Sequence, residues 1–251
     1  MIRAIMNGCN GRMGRVIAGL VAEDDGIEIV AGVDRFGENE ASFPVFSSID
    51  EVNVESDVVI DFSNAQGVDD LLESCVKKNL PIVLCTTGLS EKQLDHVHKA
   101  SEKIAILKSA NMSVGVNVLM KVLKEAAKTL SEAGFDMEIV EKHHNQKLDA
   151  PSGTALSLAD VINESAGGDY EYVYDRSNRR EKRPEKEIGI SAVRGGSIVG
   201  DHDVIFAGLD EVVTFSHRAY SRAIFGKGAI AAAKFLAGKE AGMYDMSDVI
   251  G

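Results

Sequence analysis

The side chains best suited to chemistry lie in one segment, residues 141–156, with the sequence EKHHNQKLDAPSGTAL. His143 and His144 are adjacent, and Lys147 follows four positions after His143. Histidine has a reference pKa of about 6.5 and lysine one of about 10.4, so the segment combines a tunable proton donor with a permanent cation. Hydride addition to a conjugated imine needs both, because the electron-rich product must be protonated and substrate carboxylates must be bound.

A turn of small residues follows the histidines and is expected to open a helix. Pro151 fits the first helical turn, where Gly153 and Thr154 would present backbone N–H groups and a hydroxyl to a carboxylate. The histidine pair has two other interpretations, a metal site and hydrogen-bonded core histidines. Because no cluster of cysteines or carboxylates accompanies the pair in the sequence, we predict no metal site.

A second candidate site lies near the N-terminus, in the sequence GCNGRMG at 8–14. An apolar run precedes it and a helical pattern follows it, which is the context that a dinucleotide fingerprint requires. Gly8 would permit the tight turn, Gly11 the approach of the pyrophosphate, and Gly14 close packing of the helix on the strand. Asp34 lies 20 positions after Gly14, where an acid can bond the ribose hydroxyls. The pattern therefore predicts a nicotinamide dinucleotide site.

The residue after Asp34 leaves the choice of cofactor open. The guanidinium of Arg35 would hold a 2′-phosphate, whereas the Asp34 carboxylate would repel one, so we predict use of both NADH and NADPH. Two later turns, Thr86-Thr87-Gly88 and Ser109-Ala110-Asn111, follow strand patterns and would lie at the same edge of the sheet. Ordinary turns between strands and helices would look the same.

Apolar runs alternate with helical patterns up to about residue 110, which predicts a doubly wound parallel sheet. Its strands are predicted at 2–6, 27–33, 58–62, 82–85 and 104–107. A long amphipathic helix is predicted at 114–130, followed by strands at 137–142 and 187–194. An antiparallel meander at about 201–217 completes a smaller mixed sheet. The apolar helix at 223–237 is too short to form a domain and is expected to return to the first one. The predicted fold class is α/β, a Rossmann domain with a smaller α+β domain.

Composition restricts the partners. A net charge of −12 disfavours nucleic acid and anionic membrane surfaces. No apolar run reaches the roughly 20 residues that cross a bilayer, and we predict no signal peptide and no membrane partner. The basic stretch at 175–187, DRSNRREKRPEKE, is either a solvated loop or a flexible arm that draws in an anionic substrate.

The three cysteines, Cys9, Cys75 and Cys85, are odd in number and lack metal-ligand spacing. This usage favours free thiols in a reducing cytoplasm. Cys9 lies inside the glycine loop, where a helix N-terminus would lower the pKa of its thiol. Our hypothesis is that oxidation of Cys9 interferes with cofactor binding.

The segment 141–156 resembles the signature of the 4-hydroxy-tetrahydrodipicolinate reductases, also called dihydrodipicolinate reductases, of the bacterial diaminopimelate route to lysine. Six further blocks are similar to those of the family and occur in its order across nearly the whole chain. They are GCNGRMG, VIDFS, TTG, SANMSVGVN, AVRGGSIVGDHDV and SHRAYSRAIFGKGA. The resemblance implies hydride transfer from NADH or NADPH to C4 of the ring that forms when 4-hydroxy-tetrahydrodipicolinate loses water.

The resemblance also implies a domain organisation. Residues 1–112 with 218–251 would form the dinucleotide-binding Rossmann domain, which the C-terminal helix completes. Residues 113–217 would bind the small dicarboxylate substrate and form a homotetramer, and a hinge would close over the ligands.

Roles of individual residues follow from the same resemblance. His143 would donate or accept a proton, and Lys147 would donate one. The dicarboxylate would be bound by His144, Gly153 and Thr154. The cofactor would be lined by Gly8, Cys9, Asn10, Gly11, Arg12, Met13, Asp34, Arg35, Cys85, Thr86, Thr87, Ser109, Ala110, Asn111 and Met112.

Two positions depart from the family pattern. Cys85 stands where glycine is common, and Met112 stands where phenylalanine is frequent; we expect an effect on cofactor affinity and none on the reaction. Two other functions were weighed. Another two-domain NAD(P)-dependent dehydrogenase would leave His143 and His144 without a role, and a non-catalytic nucleotide-sensing protein would not need both His143 and Lys147.

Overall fold

Strand and helix alternate from the start of the chain in the computed structural model, which describes residues 1–36 and 41–251. The first elements are β1 (Ile2–Asn7), α1 (Arg12–Val21), β2 (Ile27–Val33), β3 (Val45–Phe46), β4 (Val58–Asp61), α2 (Val68–Lys78), β5 (Ile82–Leu84), α3 (Glu91–Ser101) and β6 (Ala105–Leu107). The later elements are α4 (Val114–Glu132), β7 (Asp136–His143), α5 (Gly153–Ser165), β8 (Glu171–Val173), β9 (Glu187–Arg194), β10 (Gly200–Ala207), β11 (Val212–Ala219), α6 (Ala223–Leu236), β12 (Gly242–Tyr244) and α7 (Met246–Ile250). The chain divides into two units, 1–114 with 223–251, and 115–222.

The first unit is built on a parallel sheet with the strand order β12-β6-β5-β4-β1-β2-β3. Both faces of the sheet are covered. On β1, Met6 faces a core with Ile17 of α1, whereas Ile5 faces a core with Leu72 of α2 and Val97 of α3. Strands buried on both faces have continuous apolar sequences, which is why apolar runs located them in the sequence.

The C-terminal helix α6 belongs to the first unit and packs on α1. Its glycines permit the close approach. A Cβ on Gly228 would lie 1.6 Å from the carbonyl oxygen of Met112, so no other residue fits there without a backbone shift. Helix α6 thereby packs directly against the turn at 109–112.

The second unit contains a mixed sheet with the strand order β11-β10-β7-β9-β8. Strand β10 is antiparallel to β7 and β11, and β9 is parallel to β7 and β8. Helices α4 and α5 contribute Leu123 and Leu158 to a core with Ile139 of β7. Because side chains alternate along a strand, Glu141 and His143 share the buried face of β7 with Ile139.

The predicted fold class is confirmed, a Rossmann-like parallel sheet with a second domain on a mixed sheet. The short strands β3, β8 and β12 and the helix α7 were not predicted. They contain two to five residues, too few to show a period. Within the described residues, no helix is long and apolar enough to cross a membrane.

Candidate active site

The glycine loop joins β1 to α1 at the carboxyl edge of the parallel sheet. Gly8 has a φ of +80°, and a Cβ there would lie 2.6 Å from the carbonyl oxygen of Phe62. A Cβ on Gly14 would lie 2.3 Å from the carbonyl oxygen of Gly8. Gly11 is the N-cap of α1. The chain therefore presents the N-terminal amides of a helix behind a glycine-rich loop, which is the arrangement that holds a pyrophosphate.

A cavity of about 270 Å³ opens beside this loop. Asp34 lines it, and its carboxylate accepts hydrogen bonds from the backbone N–H of Asn10 at 3.0 Å and of Phe36 at 3.0 Å. Arg35 also lines the cavity, and its guanidinium lies 3.8 Å from the carboxylate of Asp70. The structure thus places the acid of the fingerprint and the neighbouring arginine together at the end of β2.

Cys9 does not have the reactive environment that we hypothesised. Its side chain is buried, and a Cβ on Gly32 of β2 would lie 2.6 Å from its Sγ. Burial, with the field of Asp34, raises the pKa of the Cys9 thiol to about 11. The hypothesis of a pKa lowered by the helix N-terminus is therefore wrong, because desolvation of the thiolate outweighs the helix dipole.

Asp61 is a buried acid that the sequence reasoning missed. It ends β4 with no exposed surface and accepts hydrogen bonds from the Asn7 side chain at 2.7 Å, the Ser63 N–H at 3.1 Å and the Thr86 hydroxyl at 2.6 Å. These bonds tie together the ends of β1, β4 and β5. The available signal was an aspartate at the end of the apolar run VVID, since a buried carboxylate needs several donors.

The two later turns, 86–88 and 109–111, contain both buried and exposed residues. Thr87 is exposed and Thr86 buried, and burial raises the pKa of the half-buried Cys85 thiol well above its usual value. The Ser109 hydroxyl donates to the carbonyl oxygen of Asn111 at 3.1 Å. Met112 packs in the core, so any contact it makes with a ligand at this edge would come from its backbone.

The segment with the histidine pair begins at the end of β7. His143 is mostly buried, and its Nδ1 lies 2.6 Å from Oε2 of Glu141, which is completely buried. The Glu141 carboxylate also accepts two hydrogen bonds from Arg194 of β9, each 2.7 Å long, and one from the N–H of Ser152 at 3.0 Å. Burial favours the neutral acid, but the bonds from Arg194, His143 and Ser152 outweigh it and lower the pKa of Glu141.

Lys147 lies in the loop after the histidines with its ammonium 2.9 Å from the carboxylate of Asp149. This ion pair lowers the pKa of Asp149. His144 is half-buried, and its carbonyl oxygen accepts the N–H of Lys147 at 3.2 Å. His143 and Lys147 both lie close enough to His202 to act on its charge, so the structure brings the predicted proton donors into one neighbourhood.

The predicted turn does open a helix. Ser152 is the N-cap of α5, its hydroxyl accepts the N–H of Ala155 at 3.2 Å, and it lies 3.1 Å from Nε2 of His202. Gly153 and Thr154 are the first two helical residues, so their N–H groups lie in the N-terminal turn of α5, which faces away from the helix body. Burial, and then the charge of His143, lowers the pKa of His202 to about 4. Ser152 and His202 are further site residues that the sequence reasoning did not select.

The basic stretch at 175–187 is not a free arm. Arg176 binds Glu138 at 2.7 Å and Arg179 binds Glu187 at 2.7 Å, which holds the stretch on β7 and β9. Across residues 1–36 and 41–251, no three histidine, cysteine or acidic side chains are grouped as metal ligands.

Comparison with known proteins covers both units. Residues 2–112 match the family model described as dihydrodipicolinate reductase, N-terminus, and residues 115–250 match the model for its C-terminus. A 4-hydroxy-tetrahydrodipicolinate reductase of Caldanaerobacter subterraneus subsp. tengcongensis is 55% identical over 250 residues, covering 100% of this chain and 98% of that protein. One of Clostridium tetani is 51% identical over 98% of this chain and 96% of that protein.

Solved structures agree. A dipicolinate-bound dihydrodipicolinate reductase from Paenisporosarcina sp. TG-14 has a TM-score of 0.81 and 26% identity, covering 98% of this chain and 97% of that one. A probable dehydrogenase from Thermotoga maritima has a TM-score of 0.62 and 13% identity, covering 99% of this chain and 92% of that one. The second comparison supports the fold alone.

Proposed function

Because this chain belongs to the dihydrodipicolinate reductase family, we propose that it reduces 4-hydroxy-tetrahydrodipicolinate, by way of dihydrodipicolinate, to tetrahydrodipicolinate. The reaction serves lysine biosynthesis through diaminopimelate. The observation that carries the proposal is the contact of one buried carboxylate, Glu141, with both His143 and the Ser152 N–H. This contact supports the proposal because it holds His143, the proposed proton donor, near the N-terminus of α5, where an anionic substrate would bind.

The cofactor of this reaction is NADH or NADPH, which supplies the hydride. The residues at the edge of the parallel sheet fit such a group, since Gly8 allows the tight turn against Phe62 and Gly11 leads directly into the N-terminus of α1. Asp34 would accept hydrogen bonds from ribose hydroxyls, and Arg35 would attract a 2′-phosphate. We propose that both cofactors are used.

The substrate is a small dicarboxylate, as the dipicolinate bound to the Paenisporosarcina enzyme suggests. We propose that Gly153 and Thr154 bind one carboxylate through the N-terminal turn of α5, and that His144 contributes a further donor. Helix N-termini favour anions because their free N–H groups and the helix dipole point outward. A positive local site is needed, since the net charge of the chain is −12.

Proton transfer completes the reduction. One hydride is added at C4 of the conjugated ring, and one proton must then be delivered to the electron-rich product. We assign this proton to His143 or Lys147, whose ammonium is held by Asp149. General acid catalysis by such groups contributes about 10²–10⁴-fold.

The remaining parts of the proposal rest on the family. Residues 1–112 with 218–251 would bind the cofactor, and 113–217 would bind the substrate and form the homotetramer. The reaction would take place in the cytoplasm, where the other enzymes and the reduced cofactors of amino-acid biosynthesis are found. Size-exclusion chromatography with light scattering would test the tetramer.

The test of the function generates the unstable substrate in place from pyruvate, aspartate semialdehyde and a dihydrodipicolinate synthase. Absorbance at the nicotinamide band is followed after this protein is added with NADH or with NADPH. We expect rapid oxidation of both cofactors, and none when the synthase is omitted. If folded protein binds the cofactor but oxidises neither form, the chain is a different dehydrogenase or a nucleotide-sensing protein.

A further inference from the structure

Glu141 is the point at which the elements of the second unit's site meet. Its side chain has no exposed surface, yet it accepts hydrogen bonds from β7, from β9 and from the turn before α5. A buried charge is costly unless it is bonded on every side. The bidentate guanidinium of Arg194 supplies the opposite charge, because both of its Nη atoms lie 2.7 Å from the carboxylate.

The carboxylate decides which nitrogen of His143 carries a hydrogen. An ionised carboxylate is an acceptor only, and Oε2 of Glu141 lies 2.6 Å from Nδ1 of His143. Nδ1 must therefore be the donor in this pair. Nε2 is then the ring atom that is left to exchange a proton with a substrate.

The surroundings of Nε2 are kept open by a glycine. A Cβ on Gly200, the first residue of β10, would lie 3.0 Å from Nε2 of His143. Since contacts this short are rare, a side chain at this position would crowd the atom that exchanges the proton. The ring of His202 packs edge-on against the ring of His143, with 5.2 Å between centroids, which fixes its orientation from another side.

The same ion pair also anchors the segment that binds the anion. Nη2 of Arg194 donates to the carbonyl oxygen of Asp149 at 2.6 Å, and the Ser152 N–H donates to Glu141 at 3.0 Å. These bonds hold both ends of the stretch 149–152, directly before the N-terminal turn of α5. The proton donor and the anion site are thus held by one charged pair.

We propose that Glu141, held by Arg194, is a positioning residue that keeps the hydrogen of His143 on Nδ1 and aligns Nε2 with the N-terminus of α5. The inference rests on the function proposed above, because it assigns Glu141 a part in proton delivery by His143. Glu141 and His202 contact His143 directly, Arg194 reaches it through Glu141, and Lys147 shares with it an electrostatic effect on His202. Glu141 is the carboxylate among these four.

The test compares two glutamate variants of the same strand. Glu141→Gln removes the charge next to His143, whereas Glu138→Gln removes a charge on the opposite face of β7 that binds Arg176 and Arg183. We expect Glu141→Gln to lower kcat by about 10–100-fold, the range seen when a carboxylate that orients a metal-binding histidine is removed. KM for NADH should stay within a factor of two. Glu138→Gln should retain kcat.

The pH profile separates positioning from a structural role. Without the carboxylate, the imidazole loses both a hydrogen-bond acceptor and a neighbouring charge, so the pH dependence of kcat should differ between Glu141→Gln and the unsubstituted protein. A merely structural loss would lower kcat equally at every pH. Should Glu141→Gln fail to fold because Arg194 is left unpaired, the double variant Glu141→Gln with Arg194→Gln removes both charges and is measured in its place.

Nitrogen-15 NMR of histidine-labelled protein supplies a readout that does not need turnover. The resonances of His143 should report a hydrogen on Nδ1 in the unsubstituted protein and a changed tautomer ratio in Glu141→Gln. If kcat, its pH profile and the tautomer ratio all stay unchanged in a folded variant, the proposal is overturned. If the unsubstituted protein shows no turnover but the tautomer responds, the proposed function fails and the positioning contact stands.

Discussion

Two buried carboxylates, Asp61 and Glu141, organise the two candidate sites at the level of single residues. Each lies at or near the end of a strand with no exposed surface and collects donors from separate elements. Buried polar oxygens are costly without such partners. The bonds therefore satisfy the oxygens of both carboxylates and, in the same geometry, hold the turns at Thr86 and Ser152 in place.

Lys147 offers a direct test at this scale. Lys147→Ala should lower kcat by about 10²–10⁴-fold, because a general acid and a fixed cation are both lost. The measurement is steady-state turnover in the coupled assay. Lys124→Ala, which removes an exposed lysine of α4, is the control and should retain activity; a loss of only a few-fold for Lys147→Ala would remove it from the chemistry.

The thiol of Cys9 offers a second test. Because burial raises its pKa to about 11, very little thiolate is present near neutral pH and the folded protein should react slowly with a thiol reagent at pH 8. All three thiols should react rapidly in urea. A rapidly reacting thiol in the folded protein that disappears in Cys9→Ser would contradict this environment, as would peroxide inactivation that the cofactor prevents.

At the scale of secondary-structure elements, the N-terminus of a helix lies at each of the two candidate sites. Helix α1 begins directly after Gly11, and α5 begins at Gly153 behind the N-cap Ser152. In each case the first-turn N–H groups of the helix lie beside the residues predicted to act.

Two glycines of α1 make a matched pair. A Cβ on Gly14 would lie 2.3 Å from the carbonyl oxygen of Gly8, whereas a Cβ on Gly19 would meet open space. We expect Gly14→Ala to lower the free energy of unfolding by about 1–3 kcal/mol or more and to weaken NADH binding. Gly19→Ala should change the stability by no more than the helix preference of alanine, a gain of up to about 1 kcal/mol. Urea unfolding measures the stability of each variant, and fluorescence titration measures its affinity for NADH. Equal stability and equal affinity of the two variants would contradict the packing argument.

At the scale of the whole molecule, each unit has its own sheet and its own core. In the proposed function, the parallel sheet would offer strand ends and a helix N-terminus to a dinucleotide, and the mixed sheet would offer strand ends and a second helix N-terminus to a small anion. The net charge of −12 acts over longer distances and is screened within about 8 Å at physiological salt. The hydrogen-bond donors close to a bound ligand, rather than the net charge of the chain, therefore determine the local electrostatic potential at each site.

Stability should depend on pH through His202. Its pKa of about 4 in the folded protein lies below the ordinary value of 6.5, so the unfolded chain binds more protons between these values. This contribution to stability is complete above about pH 6.5 and is lost as the pH falls towards 4, at up to about 1.4 kcal/mol per pH unit. Urea unfolding between pH 7 and pH 5 should show a steeper loss in the unsubstituted protein than in His202→Gln. Parallel curves for the two proteins would exclude this role.

Local spacing was sufficient for the fold class, the family and the order of the longer strands and helices. Glycines at 8, 11 and 14 act within one loop, and the segment 141–156 contains its donors and its helix start within 16 residues. Apolar periods predict strands and long helices for the same reason, because neighbours in the sequence share a face. The roles assigned to His143, Lys147 and the cofactor-lining residues stay predictions.

Contacts between distant residues could not be read from spacing. Glu141 and Arg194 are 53 positions apart, Ser152 and His202 are 50 apart, and Asp61 and Thr86 are 25 apart. Which strands become neighbours depends on sheet order, and no local pattern encodes that order. Burial likewise reversed the expected pKa shift of Cys9, because desolvation depends on every atom that packs around a thiol, and those atoms come from distant parts of the chain.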